Sequence, residues 1–490
     1  MITLRELLHG VTAAPLAAVP VSGIACHSKQ VRPGDLFVAI EGSMQDGHQF
    51  IEEAITRQAS AVVAQRLPDH LSRPCPCVVV PDTRQALATM AARFYGNPSS
   101  KLRLIGVTGT NGKTTTTYLL QAILEASGAR AGLLGTIMYR IGGRAIPSTN
   151  TTPGPLELQR YFAQMVGEGL TWCAMEVSSH ALAQGRVTGL EFEAGTFTNL
   201  GSDHLDYHKT REAYAGAKRR LFDFVRPTGR AVINADDAFG RTLAETIPNR
   251  TVVSYGMERP ADASVKHVVC SWQGTSFVLD TPWGVAPIAT PLIGRHNVWN
   301  IAAAATTLLS LDIPIAAVRD GLAAIDHVPG RLERVPHDAG LNVLVDYAHT
   351  ADAMRLVLLS LRELTRGRLV VVFGCGGNRD HTKRPVMGRI ASLIADHVVL
   401  TSDNPRGEDP LDIIHQIKSG FTPGFRHFQV LPDREQAIVL VLSEAKADDT
   451  ILIAGKGHEA YQIFDHISVP FSDRDVVERC LSSRTSLALS

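Results

Sequence analysis

The chain has 490 residues, of which 45% are hydrophobic and 20% charged, an ordinary composition for a globular protein. This length exceeds what one hydrophobic core organises, and about 150 residues per domain predicts roughly three domains. Basic and acidic residues number 48 each, so no overall field favours nucleic acid or an anionic membrane. The chain has no apolar run of about 18 residues and no signal-peptide pattern, and its seven cysteines are scattered. We therefore expect a reduced, cytoplasmic protein that neither binds nucleic acid nor inserts into a membrane.

The first elements in the chain are short apolar runs separated by turn-rich segments. The runs "GDLFVAI", "ASAVVAQ" and "PCVVVPD" predict a small α/β domain over residues 1–95. From Leu102 onward strand-like runs alternate with helical stretches, which predicts a central domain over 96–330 with a doubly wound, mainly parallel sheet. A Pro-Gly pair in 323–335 interrupts this pattern, and we place the start of a C-terminal, Rossmann-like domain at 331–490.

Four apolar runs of the C-terminal region each end in polar or glycine-rich residues. They are "LNVLVDYAH", "RLVVVFGCGG", "ADHVVLTSDNP" and "DTILIAGKGHE". Ligands bind at the carboxyl ends of strands in open parallel sheets. The four tails are therefore expected to face one cleft.

The strongest local signal is "LIGVTGTNGKTTTTYLLQAILEASG", residues 104–128. A strand runs into a glycine-rich loop and then into an amphipathic helix, so that backbone N–H groups can surround phosphate oxygens at the helix N-terminus. Lys113 can neutralise the β- and γ-phosphates, and the Thr114 hydroxyl can bind Mg²⁺. Val107 stands where the standard Walker A pattern requires glycine. The pattern predicts an ATP or GTP site.

Two later segments contain side chains that suit a metal ion. Carboxylate oxygens are the ligands that Mg²⁺ prefers, and it takes few of them from the protein. A histidine at a strand end is also common as a simple hydrogen-bonded residue. The candidates in "AMEVSSHAL" and "TNLGSDHLDYH" are Glu176, His180, Asp203, His204, Asp206 and His208.

The segment "VVLTSDNPRGEDP", residues 398–410, ends an apolar run in Asp403, Asn404, Pro405 and Arg406. Pro405 stops the strand and favours a turn, which presents an acid, an amide and an arginine together. An isolated turn of this kind is usually only a surface turn.

Five motifs in order along the chain resemble those of the Mur ligases, ATP-dependent amide-bond ligases of peptidoglycan precursor synthesis. They are "GVTGTNGKTTT", "EVSSHAL", "NLGSDHLDYH", "GRHNVWN" and "VDYAHTADA". The family's short phosphate loop accounts for Val107. The resemblance implies three domains that bind a UDP-sugar, ATP and an amino acid in that order, and we expect a monomer.

The resemblance also implies the nucleotide and metal sites. Lys113, Glu176, His204 and Lys218 would be the catalytic residues, with Lys218 carbamylated, because an ammonium ion would repel Mg²⁺ and a carbamate would not. Two Mg²⁺ ions would be held by Thr114, Glu176, His204 and Lys218. ATP would contact Gly109, Thr110, Asn111, Gly112, Lys113, Thr114, Thr115, Asn297, Asn300, Arg331 and Asp346.

The N-terminal segment "GIACHSKQVRPGDLFVAIEGSMQDGHQF" resembles the UDP-sugar-binding segment of two ligases of the family. Where they have Asp-Ser-Arg, this chain has His27, Ser28 and Lys29. The implied substrate is UDP-N-acetylmuramoyl-L-alanyl-D-glutamate. Its implied contacts are Cys26, Ser28, Ser43, Met44, Gln45, Asn150, Thr151, Thr152, Ser178, Gln184 and Arg186.

In the resembling ligase the D-N-P-R turn selects meso-diaminopimelate, which is lysine with an additional carboxylate. The guanidinium of Arg406 can bind that carboxylate through two parallel hydrogen bonds, a geometry that an ammonium cannot match. The implied contacts are Arg379, Asp403, Asn404, Pro405, Arg406, Gly455 and Glu459, the last of which would meet an ammonium group.

The implied reaction passes through an acyl phosphate on the D-glutamate γ-carboxylate, which the diaminopimelate amine then attacks. Two related enzymes are alternatives: a ligase that adds L-lysine and a folylpolyglutamate-type ligase. Outside this class, a P-loop nucleotide switch that makes no bond is possible. "FGCGGNR" also leaves a dinucleotide-binding protein open, although a partial G-x-G-x-x-G pattern is weak evidence.

Overall fold

The structure, a computed structural model, describes residues 2–12, 16–42, 45–248, 250–337 and 340–488. Within these ranges the strands form three main sheets, each from a different part of the chain. The first is fully parallel and has four strands: Gly23–Ala25, Asp35–Val38, Ala61–Ala64 and Cys77–Val79. A two-stranded ribbon of Ile2–Thr3 and Pro20–Val21 and the helices Leu4–Leu7, Ile51–Thr56 and Thr83–Phe94 belong to this region.

The central sheet has eleven strands among the described residues, and its middle is parallel. In spatial order they are Arg144–Pro147, Met138–Ile141, Ala131–Leu134, Trp172–Glu176, Arg103–Thr108, Phe192–Phe197, Val225–Asn234, Thr251–Gly256, Ala263–Ser271, Gly274–Thr281 and Gly284–Thr290. The four pairings nearest the two edges are antiparallel and the six between them are parallel. The prediction of a doubly wound, mainly parallel sheet is confirmed.

Helices cover both faces of this sheet, because its middle strands are apolar on both sides. The helices of the central region are Lys113–Ala126, Pro155–Gly167, Ser179–Ala183, Leu205–His208, Arg211–Arg219, Ala238–Thr246, Arg295–Leu309 and Ile315–Ala324. One core contains Leu119, Ile301 and Val318 from three of these helices, and the core of the opposite face contains Phe162. Two separate cores thus fix the central strands, and with them the loops at their carboxyl ends.

The C-terminal sheet orders its strands Glu333–Arg334, Asn342–Asp346, Thr450–Ala454, Leu369–Phe373, His397–Leu400 and Phe428–Val430. All its pairings except the first are parallel, so the four apolar runs predicted as strands of one parallel sheet are confirmed. Its helices are Ala351–Leu364, Lys383–Ile394, Pro410–Lys418, Arg434–Glu444 and Asp473–Ala488. The strands Tyr461–Phe464 and Ile467–Pro470 form a separate antiparallel hairpin, called here the C-terminal hairpin.

Within the described ranges, no helix combines the length and apolar character needed to cross a membrane.

Candidate active site

The phosphate loop connects the central strand Arg103–Thr108 to the helix that starts at Lys113. Gly112 precedes the helix with φ of 87°, a conformation that favours glycine. The Lys113 ammonium donates to the carbonyl oxygens of Gly109 (2.9 Å) and Thr110 (2.8 Å). The loop therefore orients its own lysine, as a loop built to surround phosphate requires.

A second lysine reaches the same loop from the helix Arg211–Arg219. Lys218 is 1% exposed, and its ammonium also donates to the Gly109 carbonyl oxygen (2.8 Å). Burial and the nearby Lys113 charge both lower the pKa of Lys218 well below its usual value. Burial and the neighbouring Lys113 cation therefore both disfavour the charged form of Lys218.

Glu176 and His204 line the same cleft. Glu176 ends the strand Trp172–Glu176, and its carboxylate accepts from the N–H (2.7 Å) and the hydroxyl (3.0 Å) of Thr136. Burial lowers the pKa of His204 to about 4, so its ring is neutral at pH 7, as an imidazole ligand must be. Asp203 also lines the cleft. Glu176, Asp203 and His204 therefore line the same cleft as the phosphate loop.

The other metal candidates have different surroundings. The His208 ring forms a hydrogen bond with the hydroxyl of Ser179 (3.0 Å), and the His180 ring packs edge-to-face against that of His204, with 4.7 Å between centroids. Neither they nor Asp206 lines the cleft. Among the residues that the structure describes, no group of three or more His, Cys, Asp or Glu side chains is placed to hold a metal ion.

The first residues of the C-terminal region close this cleft. The Arg331 guanidinium donates to the Thr114 hydroxyl (3.1 Å) and lies over the Tyr347 ring, 4.5 Å from its centroid. Asp346 accepts from the N–H groups of Leu332 (2.6 Å) and Ala348 (2.7 Å), and burial raises the pKa of this carboxyl. Arg331 thus reaches the phosphate loop directly, whereas Asp346 mainly holds the backbone that carries Arg331.

Asn297 and Asn300 lie on the helix Arg295–Leu309 but do not have equal access to the cleft. The side-chain NH₂ of Asn300 donates to the side-chain oxygen of Asn297 (3.0 Å). The side-chain NH₂ of Asn297 donates to the Ile293 carbonyl oxygen (2.8 Å). Only Asn300 lines the cleft, against Gly112. Sequence reasoning missed Trp299, whose indole N–H donates to Asp236 (2.7 Å) at the same wall, although it lies within the quoted "GRHNVWN".

The D-N-P-R turn lies where the strand His397–Leu400 ends, and its Asn404 belongs to a buried network. The Asn404 amide donates to the Glu459 carboxylate (2.9 Å) and accepts from the Lys456 ammonium (3.1 Å). Lys456 is fully buried and also donates to Glu459 (2.9 Å). Glu459 therefore already has an ammonium partner within the chain. Sequence analysis did not single out Lys456, although "AGKGHE" contains it.

Arg406 has φ of 52°, and its guanidinium donates to the carbonyl oxygens of Gly377 (2.9 Å) and Asn404 (3.4 Å). Within the described part of the chain it has no carboxylate partner. Arg379 is exposed, and both arginines flank Gly376. Gly455 has φ of 113°, and a Cβ atom there would lie 2.6 Å from the Asp403 carboxylate. Two arginines without a carboxylate partner among the described residues thus lie beside Gly376.

The predicted UDP-sugar-peptide residues form two groups. In the central region, Thr152 donates through its hydroxyl to the Glu176 carbonyl oxygen (2.9 Å) and accepts from the Ser178 N–H (3.0 Å). Arg186 donates to the Thr152 carbonyl oxygen (2.8 Å) and to the Gln184 side chain (2.7 Å). Of the remaining two, Thr151 shares a hydroxyl hydrogen bond with Thr136, and the Asn150 carbonyl oxygen accepts from the Tyr139 hydroxyl (2.6 Å).

The described residues of the N-terminal group do not line the cleft. The Ser28 hydroxyl donates to Glu53 (2.7 Å), and burial raises the pKa of the Cys26 thiol to about 12. The His27 ring accepts from the Lys29 N–H (3.3 Å) and so caps the short helical turn Ser28–Gln30. Gln45 is exposed, and Ser43 and Met44 lie outside the described residues.

The cleft between the central and C-terminal regions has a volume of about 700 Å³. Its lining combines the phosphate loop, several acidic and imidazole side chains that include Glu176, Asp203 and His204, and Arg331. A glycine-rich loop with a lysine at a helix N-terminus is the usual arrangement for nucleotide phosphates. The fold and this cleft define a nucleotide-dependent enzyme with its active site between two regions of the chain.

Three family models match the chain: "Mur ligase family, catalytic domain" over 20–95, "Mur ligase middle domain" over 107–308 and "Mur ligase, glutamate ligase domain" over 330–457. A UDP-N-acetylmuramoyl-L-alanyl-D-glutamate–2,6-diaminopimelate ligase of Geobacillus thermodenitrificans is 44% identical over 464 residues, 93% of this chain and 94% of that protein. A ligase of the same name from Gloeobacter violaceus is 44% identical, with 99% of each chain covered. The chain belongs to the Mur ligase family, and the nucleotide-switch and dinucleotide-binding alternatives are set aside.

Solved structures agree with this family membership. One of a UDP-N-acetylmuramoyl-L-alanyl-D-glutamate–2,6-diaminopimelate ligase is 33% identical, with a TM-score of 0.70 over 99% of both chains. A folylpolyglutamate synthase from Mycobacterium tuberculosis has a TM-score of 0.63 at 19% identity, covering 76% of this chain and 92% of its own. At that identity the likeness shows a shared fold alone.

Proposed function

We propose that the chain is an ATP-dependent ligase that joins meso-2,6-diaminopimelate to the D-glutamate γ-carboxylate of UDP-N-acetylmuramoyl-L-alanyl-D-glutamate. The observation that carries this proposal is an unbroken run of contacts from the phosphate loop to the D-N-P-R turn. Arg331 bonds Thr114 and stacks on Tyr347, whose hydroxyl donates to Glu459 (3.3 Å), the partner of Asn404. Direct contacts therefore connect the phosphate loop to the turn that would bind the amine, and an acyl-phosphate ligase needs its two sites to be held close together.

The reaction needs charge stabilisation and positioning rather than a nucleophile from the protein. The γ-carboxylate attacks the γ-phosphorus of ATP and ADP leaves; the amine then attacks the acyl carbon, loses its proton, and phosphate leaves. Lys113 and the loop N–H groups offset the charge on the phosphates. Arg331 adds a further positive charge beside Thr114.

The oxygen donors near the loop suit Mg²⁺, which would neutralise phosphate charge when bound. We assign its ligands to Thr114, Glu176 and His204, together with Lys218 as a carbamate. An ammonium at Lys218 does not fit this set. Burial disfavours that charged form, and a neutral lysine amine is the form that adds CO₂ and releases a proton. The carbamate oxygen atoms then complete an oxygen-rich donor set.

Recognition of diaminopimelate follows from the charges at the turn. Arg406 and Arg379 would bind the carboxylate that distinguishes diaminopimelate from L-lysine. Glu459 would receive an ammonium group, in competition with Lys456. L-Lysine would leave these arginines without a counter-charge, and the chain would discriminate against it on that ground.

The three sheets correspond to three binding regions in this proposal. We assign the UDP-sugar to residues 1–95, ATP to 96–330 and the amino acid to 331–490. Both nucleotide substrates are cytoplasmic compounds, and we place the enzyme there, as a monomer.

Two measurements test the proposal. The first is phosphate release with ATP, Mg²⁺ and the UDP-sugar dipeptide, in the presence of meso-diaminopimelate, L-lysine or neither. Release that requires diaminopimelate, with a matching gain in product mass, supports it. Equal use of lysine would remove the specificity argument, and release without any amino acid would contradict ligation.

The second measurement concerns Lys218 and does not depend on activity. Protein equilibrated with ¹³C-bicarbonate is expected to show a carbamate carbon signal by NMR, and Lys218→Ala is expected to lack it. A signal that persists in Lys218→Ala would assign the modification to another amine.

A further inference from the structure

The C-terminal hairpin packs against the D-N-P-R turn and bonds its backbone. The Arg406 N–H donates to the Ile463 carbonyl oxygen (3.0 Å), and the Arg406 carbonyl accepts from the Asp465 N–H (2.7 Å). The Ile463 N–H donates in turn to the side-chain oxygen of Asn404 (3.0 Å). Both backbone polar groups of Arg406 are therefore satisfied by the hairpin.

Arg406 needs this support because of its backbone conformation. Its φ of 52° lies in the left-handed region, which is unfavourable for a residue with a long side chain. Such a conformation persists only where the surrounding structure holds it. The side-chain direction of Arg406 follows from this backbone angle, so the hairpin determines where the guanidinium lies.

Gln462 supports the start of the same turn. It is 7% exposed, and its amide NH₂ donates to the carbonyl oxygen of Asp403 (2.9 Å), with that of Ser402 at 3.5 Å. Both neighbours are carbonyl oxygens, which only accept hydrogen bonds. The position therefore requires a donor, and a carboxylate of the same shape would be repelled.

We propose that Gln462 is a positioning residue for amino-acid selection: it holds the carbonyl side of the D-N-P-R turn so that Arg406 faces the distal carboxylate of a diamino dicarboxylic acid. This inference rests on the proposed function. Gln462 acts through Asp403 and the hairpin bonds and does not touch the reacting atoms. Its loss should weaken diaminopimelate binding and discrimination against L-lysine, while the phosphate loop and UDP-sugar contacts stay unchanged.

The test compares three variants with the unmodified protein, using the KM of each substrate, the kcat/KM ratio of diaminopimelate to L-lysine, and the melting temperature. Gln462→Glu replaces the donor by an acceptor, and Gln462→Met removes it without adding charge. Ile467→Thr is the matched control, because this residue is on the second hairpin strand, is 67% exposed and makes none of the bonds to the turn. Both Gln462 variants are expected to raise the KM for diaminopimelate about tenfold and to lower the ratio similarly.

The KM values for ATP and the UDP-sugar dipeptide are expected to stay within twofold, as is every constant of Ile467→Thr. A Gln462→Met variant with an unchanged KM and ratio would overturn the inference. So would an equal rise in the KM of all three substrates, since that would indicate a general structural role. If the unmodified protein shows no diaminopimelate-dependent phosphate release, the proposed function fails and this inference fails with it.

Discussion

Replacing Arg406 by lysine keeps the positive charge at this position but removes the planar guanidinium, which can donate two parallel hydrogen bonds to one carboxylate. In the structure one terminal NH₂ of Arg406 is directed to the Gly377 and Asn404 carbonyl oxygens, which leaves its other N–H groups for a substrate carboxylate. A lysine ammonium would have to divide its donors between those carbonyls and the ligand. Loss of one charge-assisted hydrogen bond costs roughly 1.5–3 kcal/mol, which corresponds to about 12- to 150-fold in kcat/KM.

Steady-state phosphate release, with diaminopimelate or L-lysine as the varied substrate, measures this effect. The kcat/KM for diaminopimelate is expected to fall by the factor above in Arg406→Lys, while that for L-lysine changes little, because L-lysine has no carboxylate for the fork. The KM for ATP serves as the internal control. A parallel fall for both amino acids would refute the reasoning, since it would mean that Arg406 does not read the distal carboxylate.

Three further predictions concern the surroundings of the site. Asp473→Asn leaves the fully buried Arg434 guanidinium without its counter-charge. Calorimetry is expected to show a melting temperature lower by roughly 6–20 °C. A shift below about 2 °C would contradict this prediction. Tyr347→Phe removes the hydroxyl that donates to Glu459 but keeps the ring beneath the Arg331 guanidinium. The KM for diaminopimelate should therefore rise about 3- to 10-fold, with the KM for ATP unchanged. An equal rise in both KM values would show that the hydroxyl does not act on the amino-acid site alone. The Arg384 guanidinium holds the pKa of Glu408 at about 2, below its ordinary 4.5. The ionised Glu408 carboxylate therefore stabilises the fold fully above pH 4.5, and this stabilisation is lost as the pH falls through about 2. Glu408→Gln should therefore melt lower at pH 7, with a difference that narrows toward pH 2; a constant difference would show that ionisation is not its cause.

Much of the fold was readable from local pattern. The alternation of apolar strands and helices predicted the central and C-terminal parallel sheets, because strands buried on both faces must be apolar throughout. The glycine-rich loop was equally readable, since its function depends on consecutive residues, from Gly109 to Thr114. The roles of the individual site residues stay predictions. The structure brings most of the predicted nucleotide and metal residues to one cleft, whereas the predicted diaminopimelate residues do not line it.

Contacts between distant segments of the chain could not be predicted from local sequence patterns. The sequence by itself determined the family, the three-sheet architecture and the chemistry of each motif, because these depend on residues close together in the chain. Only the tertiary structure decided that Lys113 and Lys218 donate to one carbonyl oxygen. The same is true of the ion pair between Lys456 and Glu459, and of the hydrogen bonds by which the C-terminal hairpin holds the backbone of Arg406. The physical reason is that burial and hydrogen-bond partnership depend on which segments the folded sheets place side by side, and no short motif encodes that.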